Sequence, residues 1–492
     1  ERRCWRGVKK VYFGYAKSFL SRKVACGHES KREHSIQYWA NVTFLSWGFY
    51  MLKFFSKPAR ASAFLLSCLA SSIACAADTT YPDAAASDPA KMGWMVGSPP
   101  PPDRIIRFAD GSYFKFPAMR WSVSNFRQLM PTTNVSRGLG APVPLNRALR
   151  KDIDALTFIP TGASKPMTWE QSLAANYTDG IVVLHRGKVV YERYFGVLNP
   201  QKQHAAMSVT KSVVGTMGAM LVADGTLDAN KKIVDYIPEL AKSAFANATL
   251  RQVLDMTTGL KFSEDYADPN AEVWQHAMAG NPLPKPADYT GPQTYMEYLQ
   301  TVQPSGEHGK AFAYKTVNSD VLGWVIARVT GRNVAQLLSE RIWQRVGAEQ
   351  DAYFTVDSIG TPFAGGGLNA GLRDLARFGE MIRNDGKYLG QQIVPKAVVD
   401  DIRAGGDKQA FAQAGYDQLK GGSYRNMWWV THNPDGAFMA RGVYGQRIYI
   451  DPKAEMVIVR FASNPIASNS ANDPVTIPAF EALAKQLITH PQ

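Results

Sequence analysis

Beyond Ala76 the sequence has no cysteine. Cys4, Cys26, Cys68 and Cys75 all precede that point, so the rest of the chain can form neither a disulfide nor a thiolate nucleophile nor a cysteine metal site. Net charge is equally scarce there. Residues 1–76 hold 13 Lys+Arg against 3 Asp+Glu, which leaves 42 against 39 for the remainder, so the overall +13 marks no basic face and nucleic acid is not an expected partner. His185, His204, His276, His308 and His432 show no metal-ligand spacing, and no metal or cofactor is expected. Neither G-x-S-x-G nor H-E-x-x-H occurs, which removes the nucleophile elbow and the zinc-peptidase helix. Gly365-Gly366-Gly367 lacks the Lys-Ser/Thr of a phosphate loop and reads as a tight turn.

What is present is a chain of 492 residues, 45% hydrophobic and 20% charged, able to bury a large core. Residues 1–50 show no steady periodicity and read as an upstream extension outside the fold. At Met51 the text changes: Lys53, Lys57 and Arg60 are followed by the apolar run Ala61–Cys75 and the small-x-small site Ala74-Cys75-Ala76. Residues 51–76 therefore read as a signal peptide, and the expected location is periplasmic or secreted. The run is shorter than the roughly 20 residues of a stable membrane span; a lipidated Cys75 is the rival reading. Residues 77–105, rich in Ala, Pro and Asp, suggest an extended arm. Asp110-Gly111-Ser112 reads as a turn into an alternating strand reaching Phe116.

The hairpin Gly180–Phe195 and the strands Met427–Thr431, Phe438–Tyr444, Arg447–Asp451 and Met456–Phe461 stand at the two ends of the chain, with a helix over Ile477–Leu487. Helical patterns fill the middle: Leu250–Met256, Asp320–Thr330, Val334–Val346 and Leu372–Asn384. The order implies an α+β fold. One antiparallel sheet is built from 106–207 and 400–492, a mainly helical domain spans 208–399, and the site lies between them.

S-x-x-K occurs twice, at Ser112–Lys115 and Ser208–Lys211; chance alone supplies roughly one or two matches. On a strand, positions i and i+3 face opposite ways, so the first pair is not expected to cooperate. The second opens a helix with Val209, Val213, Val214, Met217, Met220 and Leu221 at one-face spacings, and there i and i+3 touch. That arrangement suits an amine base beside a hydroxyl nucleophile, provided burial and the helix N-terminus bring the lysine down from its ordinary pKa of about 10.4. Tyr314, on the loop before the apolar helix Val321–Val329, is the candidate for returning the proton. Trp274, Trp428 and Trp429 are candidates for an acyl pocket or for the core.

Ser208-Val209-Thr210-Lys211, Tyr314 with Thr316, and Gly442-Val443-Tyr444-Gly445-Gln446 before the strand Arg447–Asp451 resemble the three signature elements of the serine β-lactamase-like hydrolases of class C type. Within that group Glu264-Asp265-Tyr266-Ala267-Asp268-Pro269, Asp320-Val321-Leu322-Gly323-Trp324 and Tyr444-Gly445-Gln446 are most similar to the 6-aminohexanoate-dimer hydrolases, over about 90–490. The resemblance implies a β-lactamase/transpeptidase-like fold. It implies a hydrolase of small amide or ester substrates, monomer or homodimer, working through an acyl-Ser208 intermediate. Lys211 and Tyr314 would handle the proton, and the backbone N–H groups of Ser208 and Gln446 would hold the oxyanion. Tyr266, Thr316, Asn318, Tyr444 and Gly445 would contact substrate, Tyr266 by closing over it. Val443-Tyr444-Gly445 stands where penicillin-recognising relatives carry K-T-G, so the cation that holds a β-lactam carboxylate is missing and β-lactamase activity is not expected; Ala277 stands where nylon-dimer hydrolases carry an Asp, which makes a less discriminating esterase or amidase as much an expectation as a hydrolase of aminohexanoate oligomers. The competing readings are a non-catalytic envelope sensor of the same fold and a cell-wall D-Ala peptidase.

Overall fold

The computed structural model describes residues 81–490. The expected upstream extension and signal peptide, 1–50 and 51–76, lie outside the described residues. Among those described, no helix is long and apolar enough to cross a membrane.

A seven-stranded antiparallel sheet organises the molecule. Its strands are β1 (Thr178–His185), β2 (Lys188–Tyr194), β3 (Ser423–Arg425), β4 (Trp428–Val430), β5 (Phe438–Gly442), β6 (Gln446–Asp451) and β7 (Met456–Ala462), in the spatial order β3-β4-β5-β6-β7-β1-β2. The earlier and later strands of the sheet meet where β7 pairs with β1, Ile458 opposite Val183. Arg186 and Gly187 both take positive φ, 51° and 72°, which gives the two-residue turn that matches the twist of the β1–β2 hairpin.

Helices cover both faces of the sheet. On one face lie α1 (Val209–Ala223) and α3 (Leu372–Arg383); a Cβ added at Gly379 of α3 would reach Val457 Cγ1 at 2.7 Å, so glycine is what lets this helix sit close to β7. On the other lies α4 (Asp473–Thr489), whose Phe480 packs edge-on to Tyr449 of β6 at 5.5 Å. The helix α2 (Val317–Thr330) packs against α1.

Four readings change. The arm is not extended over its described part: Asp83 and Asp88 accept backbone N–H bonds from Ala85 and Ala90 and fold it into turns, and Arg120 ties it down through Ala84 O and Ser87 Oγ. Ser112–Phe114 is a 3-10 turn, because Ser112 Oγ bonds both the N–H and the C=O of Arg107. The boundary at 400 moves, since α3 packs on β1, β6 and β7 and belongs to the sheet. The segment 208–399 also contributes strands to a second sheet, ordered Thr132–Val135, Ala352–Thr355, Leu368–Gly371, Gln203–Ala205. This small sheet matters for the site, because Ala206 N–H donates to Leu368 O at 2.8 Å and delivers the chain to Ser208.

Candidate active site

Ser208 enters α1 from a strained approach. Met207, a non-glycine residue, has φ 47°, a conformation that typically costs of order 1–3 kcal/mol and persists only where its surroundings enforce it. The small sheet behind and α1 ahead do so here. From Val209 to Leu221 every residue of α1 is buried, so the helix is enclosed on all sides rather than on one face.

Lys211 is 1% exposed, and its Nζ donates to Ser208 Oγ at 2.9 Å and to Gly365 O at 2.6 Å. Burial lowers its pKa to about 8, against the opposing pull of Glu264 and Asp320. The Gly365 peptide is fixed in turn by its N–H donating to Asp320 Oδ1 at 3.1 Å, and Asp320 Oδ2 lies 2.9 Å from His276 Nε2. The Tyr314 ring stands 5.1 Å from Lys211 Nζ. Burial pushes its phenol well above the ordinary range and Glu264 adds to that, while the facing Ser208 hydroxyl and the Arg441 guanidinium pull it down.

A cavity of about 750 Å³ opens onto Ser208, lined by Tyr314, Tyr266, Glu264, Trp274, Trp429 and Tyr444 among others. Trp429 stacks on Tyr314 at 5.4 Å, and Tyr266 meets Trp274 edge-on at 5.6 Å. The neighbouring Trp428 points the opposite way, as alternation along a strand requires, and donates to Thr216 Oγ1 at 3.0 Å inside the core. Glu264 links two of the predicted residues: it accepts the Thr316 N–H and lies 3.4 Å from the Tyr266 hydroxyl.

Other expected contacts fall elsewhere. Asn318 is fully buried, accepting from Thr258 Oγ1 at 2.8 Å and donating to Lys315 O, because its place on the first turn of α2 points inward. Thr316 is 4% exposed, stands immediately before the same helix without a side-chain capping bond, and is not among the residues lining the cavity. Gln446 is fully buried: its side chain brackets Ala462 with bonds of 2.6 and 3.0 Å, and its backbone is the ladder partner of Gly442. Val443-Tyr444-Gly445 forms a tight 3-10 turn with Tyr444 at φ 63°, which carries Gln446 past the cleft and leaves Val443 and Tyr444 lining it, with Gly445 at φ 99° behind. The neighbour of Ser208 is Gly442, where an added Cβ would meet Ala206 O at 2.9 Å and Ser208 N at 3.0 Å. Ala277 lies on the helix Glu272–Ala279, outside the cavity lining.

Glu264, Gly365 and Val443 enter the sequence reading only as part of a resemblance, a tight turn and a departure from K-T-G, none of them as a site residue, and Arg441, which also lines the cavity, does not enter it. A carboxylate two residues before Tyr266 and an arginine interrupting the apolar strand Phe438–Gly442 were the available signals.

The beta-lactamase family model matches residues 170–475. The 6-aminohexanoate-dimer hydrolase of Paenarthrobacter ureafaciens is 34% identical over 387 residues, 78% of this chain and 91% of that protein. A Bacillus anthracis structure provisionally named a 6-aminohexanoate-dimer hydrolase superposes with a TM-score of 0.71 at 33% identity, covering 77% of this chain and 97% of the other. EstCE1, a hydrolase with promiscuous acyltransferase activity, shares the fold at a TM-score of 0.52 and 16% identity, over 64% of this chain and 96% of its own.

Proposed function

The chain belongs to the beta-lactamase family and is a serine hydrolase of the 6-aminohexanoate-dimer-hydrolase kind, and from that premise we propose that it cleaves linear amide or ester bonds through an acyl enzyme on Ser208. The observation that carries this reading is the 2.9 Å bond between Lys211 Nζ and Ser208 Oγ, made by an amine that burial brings to about 8. A neutral Lys211 takes the hydroxyl proton as Ser208 attacks the carbonyl carbon. Tyr314, beside both, hands a proton to the leaving nitrogen or oxygen; water then releases the acyl group by the same steps in reverse.

The oxyanion falls to the Ser208 N–H and to that of Val443, the cavity-lining residue directly after Gly442, rather than to Gln446. Such a donor typically contributes about 3–4 kcal/mol of transition-state stabilisation. Tyr266 and Tyr444 line the approach, and Trp274 and Trp429 give the chain of the substrate an aromatic wall. Val443 brings no cation to the place where a β-lactam carboxylate is held, which supports linear amides and esters over β-lactams. The basic start, apolar run and small-residue site over 51–76 support an exported protein.

The test is labelling with a fluorophosphonate followed by peptide mass spectrometry, alongside turnover of p-nitrophenyl esters, the 6-aminohexanoate dimer and nitrocefin. Label on Ser208 with ester or amide turnover is the expected result. Label on another residue, or full activity in Ser208→Ala, overturns the assignment, and a folded protein that turns over none of the three favours a sensor.

A further inference from the structure

Asp320 is a buried carboxylate in the first turn of α2, 6% exposed and outside the lining of the Ser208 cavity. Its ion-pair partner among the described residues is His276, whose Nε2 lies 2.9 Å from Oδ2. The other oxygen, Oδ1, accepts the Gly365 N–H at 3.1 Å. Taking a carboxylate out of water is costly unless its oxygens find donors, and these two residues supply them.

What Asp320 grips is one peptide of a tight turn. The turn Phe363–Gly367 is closed by the Gly367 N–H donating to Phe363 O at 2.8 Å, and the His276 ring stands 5.7 Å from the Phe363 ring. A Cβ added at Gly365 would meet Thr316 Cγ2 at 2.3 Å and Phe363 Cε2 at 2.8 Å, so the peptide is packed on both sides and has little room to move. Its N–H faces Asp320 and its carbonyl faces Lys211 Nζ at 2.6 Å.

That carbonyl bears on the direction of proton transfer. A charged amine offers three donors; on losing one proton it keeps two and gains a lone pair. Around Lys211 Nζ stand Ser208 Oγ at 2.9 Å, Gly365 O at 2.6 Å and the face of the Tyr314 ring, centred 5.1 Å away. The carbonyl oxygen and the ring face are both electron-rich and repel a lone pair, so each is better met by an N–H. The lone pair is left for Ser208, whose proton it has to receive.

We propose that Asp320 is a positioning residue for the base: by fixing the Gly365 carbonyl it turns the lone pair of the neutral Lys211 toward the Ser208 hydroxyl, and His276 keeps Asp320 in place. This inference rests on Ser208 as the nucleophile and Lys211 as its base. Burial drives the Lys211 amine toward its neutral form, and Glu264 and then Asp320 oppose it; Asp320 is itself faced by His276 and by Tyr295. Orientation and charge therefore separate when Asp320 is replaced. More of the lysine is neutral, and less of it points the right way.

The test is the pH dependence of kcat and kcat/KM for a p-nitrophenyl ester in the wild type, Asp320→Asn and Asp320→Ala, with circular dichroism as the check on folding. Asp320→Ala is expected to lower kcat on its high-pH plateau by about tenfold or more, with KM within about twofold, while the rising limb of kcat/KM moves to lower pH. Asp320→Asn, which keeps an oxygen for the Gly365 N–H, should recover most of the plateau and still show the displaced limb. An Asp320 that only supports the fold would reduce the amount of active enzyme and leave the limb in place. An unmoved limb in both variants, or a plateau in Asp320→Ala within about twofold of the wild type, overturns the proposal. Should Asp320→Ala not fold, Asp320→Glu, which keeps the charge and displaces the carboxylate by one methylene, decides: a lowered plateau supports the proposal and an unaltered one overturns it. If the Ser208 reading is what fails, no ester is turned over and Ser208 stays unlabelled. NMR titration of the 13C-lysine-labelled protein, with Lys211 assigned through Lys211→Arg, then decides the link to Asp320: a lower midpoint in Asp320→Asn than in the wild type upholds it, and equal midpoints overturn it.

Discussion

Ser112–Lys115 and Ser208–Lys211 have the same spacing and opposite fates. At Ser112 the chain makes a short 3-10 turn, the hydroxyl is used up on the Arg107 backbone, and Lys115 extends into solvent with its full hydration. At Ser208 the chain enters a 15-residue helix enclosed by a sheet and by α2, and Lys211 gives up its water for two acceptors and an aromatic ring. Hydroxyl and amine are identical in both places. What separates them is burial, which in the interior makes the charged amine costly enough to bring the pKa of Lys211 to about 8.

The contrast can be broken in order of expected effect. Ser208→Ala should lower kcat on p-nitrophenyl esters by at least about 10⁴-fold, the scale on which an acyl-transfer nucleophile is lost. Lys211→Ala and Tyr314→Phe should each cost about a hundredfold or more in kcat, with circular dichroism confirming the fold. Gly442→Ala pushes a methyl against Ala206 O and Ser208 N, and should cut kcat by about tenfold to a hundredfold through displaced oxyanion donors. Glu264→Gln removes a negative charge near Lys211 while keeping an oxygen that can accept the Thr316 N–H. The competent form of Lys211 is the neutral amine, so kcat/KM should rise with pH through about 8; Glu264 holds that pKa up, and its removal should slide the rising limb to lower pH. Ser112→Ala and Lys115→Ala should leave steady-state kinetics within about twofold.

Much of this was legible in the sequence wherever one element carries the whole signal. The apolar spacing after Ser208 defines α1, and within α1 the i, i+3 relation brings Lys211 to Ser208 without help from the rest of the chain. Gly180–Phe195 likewise declares its hairpin through alternation and a turn. Legibility ends where position depends on tertiary detail. Gln446 and Val443 are three residues apart, and a positive φ at Tyr444 inside a tight turn decides which of them meets the cleft. Asn318 follows Tyr314 closely, yet the first turn of α2 rotates it into the core. The small sheet escapes notice because its strands are three or four residues long and come from distant parts of the chain. Arg441, Arg447 and Arg460 become neighbours only through the ladder register of β5, β6 and β7.

The pairing of β7 with β1 has a further consequence for the life of the chain. Contacts between such distant segments form late, because a long loop has to close before any of them is rewarded. On the proposed mechanism, a chain still being made already holds Ser208 and Lys211 but has neither Gly442 nor α4, so it has a warhead without a chamber. The cleft is completed only with the last strands, once β7 has paired with β1.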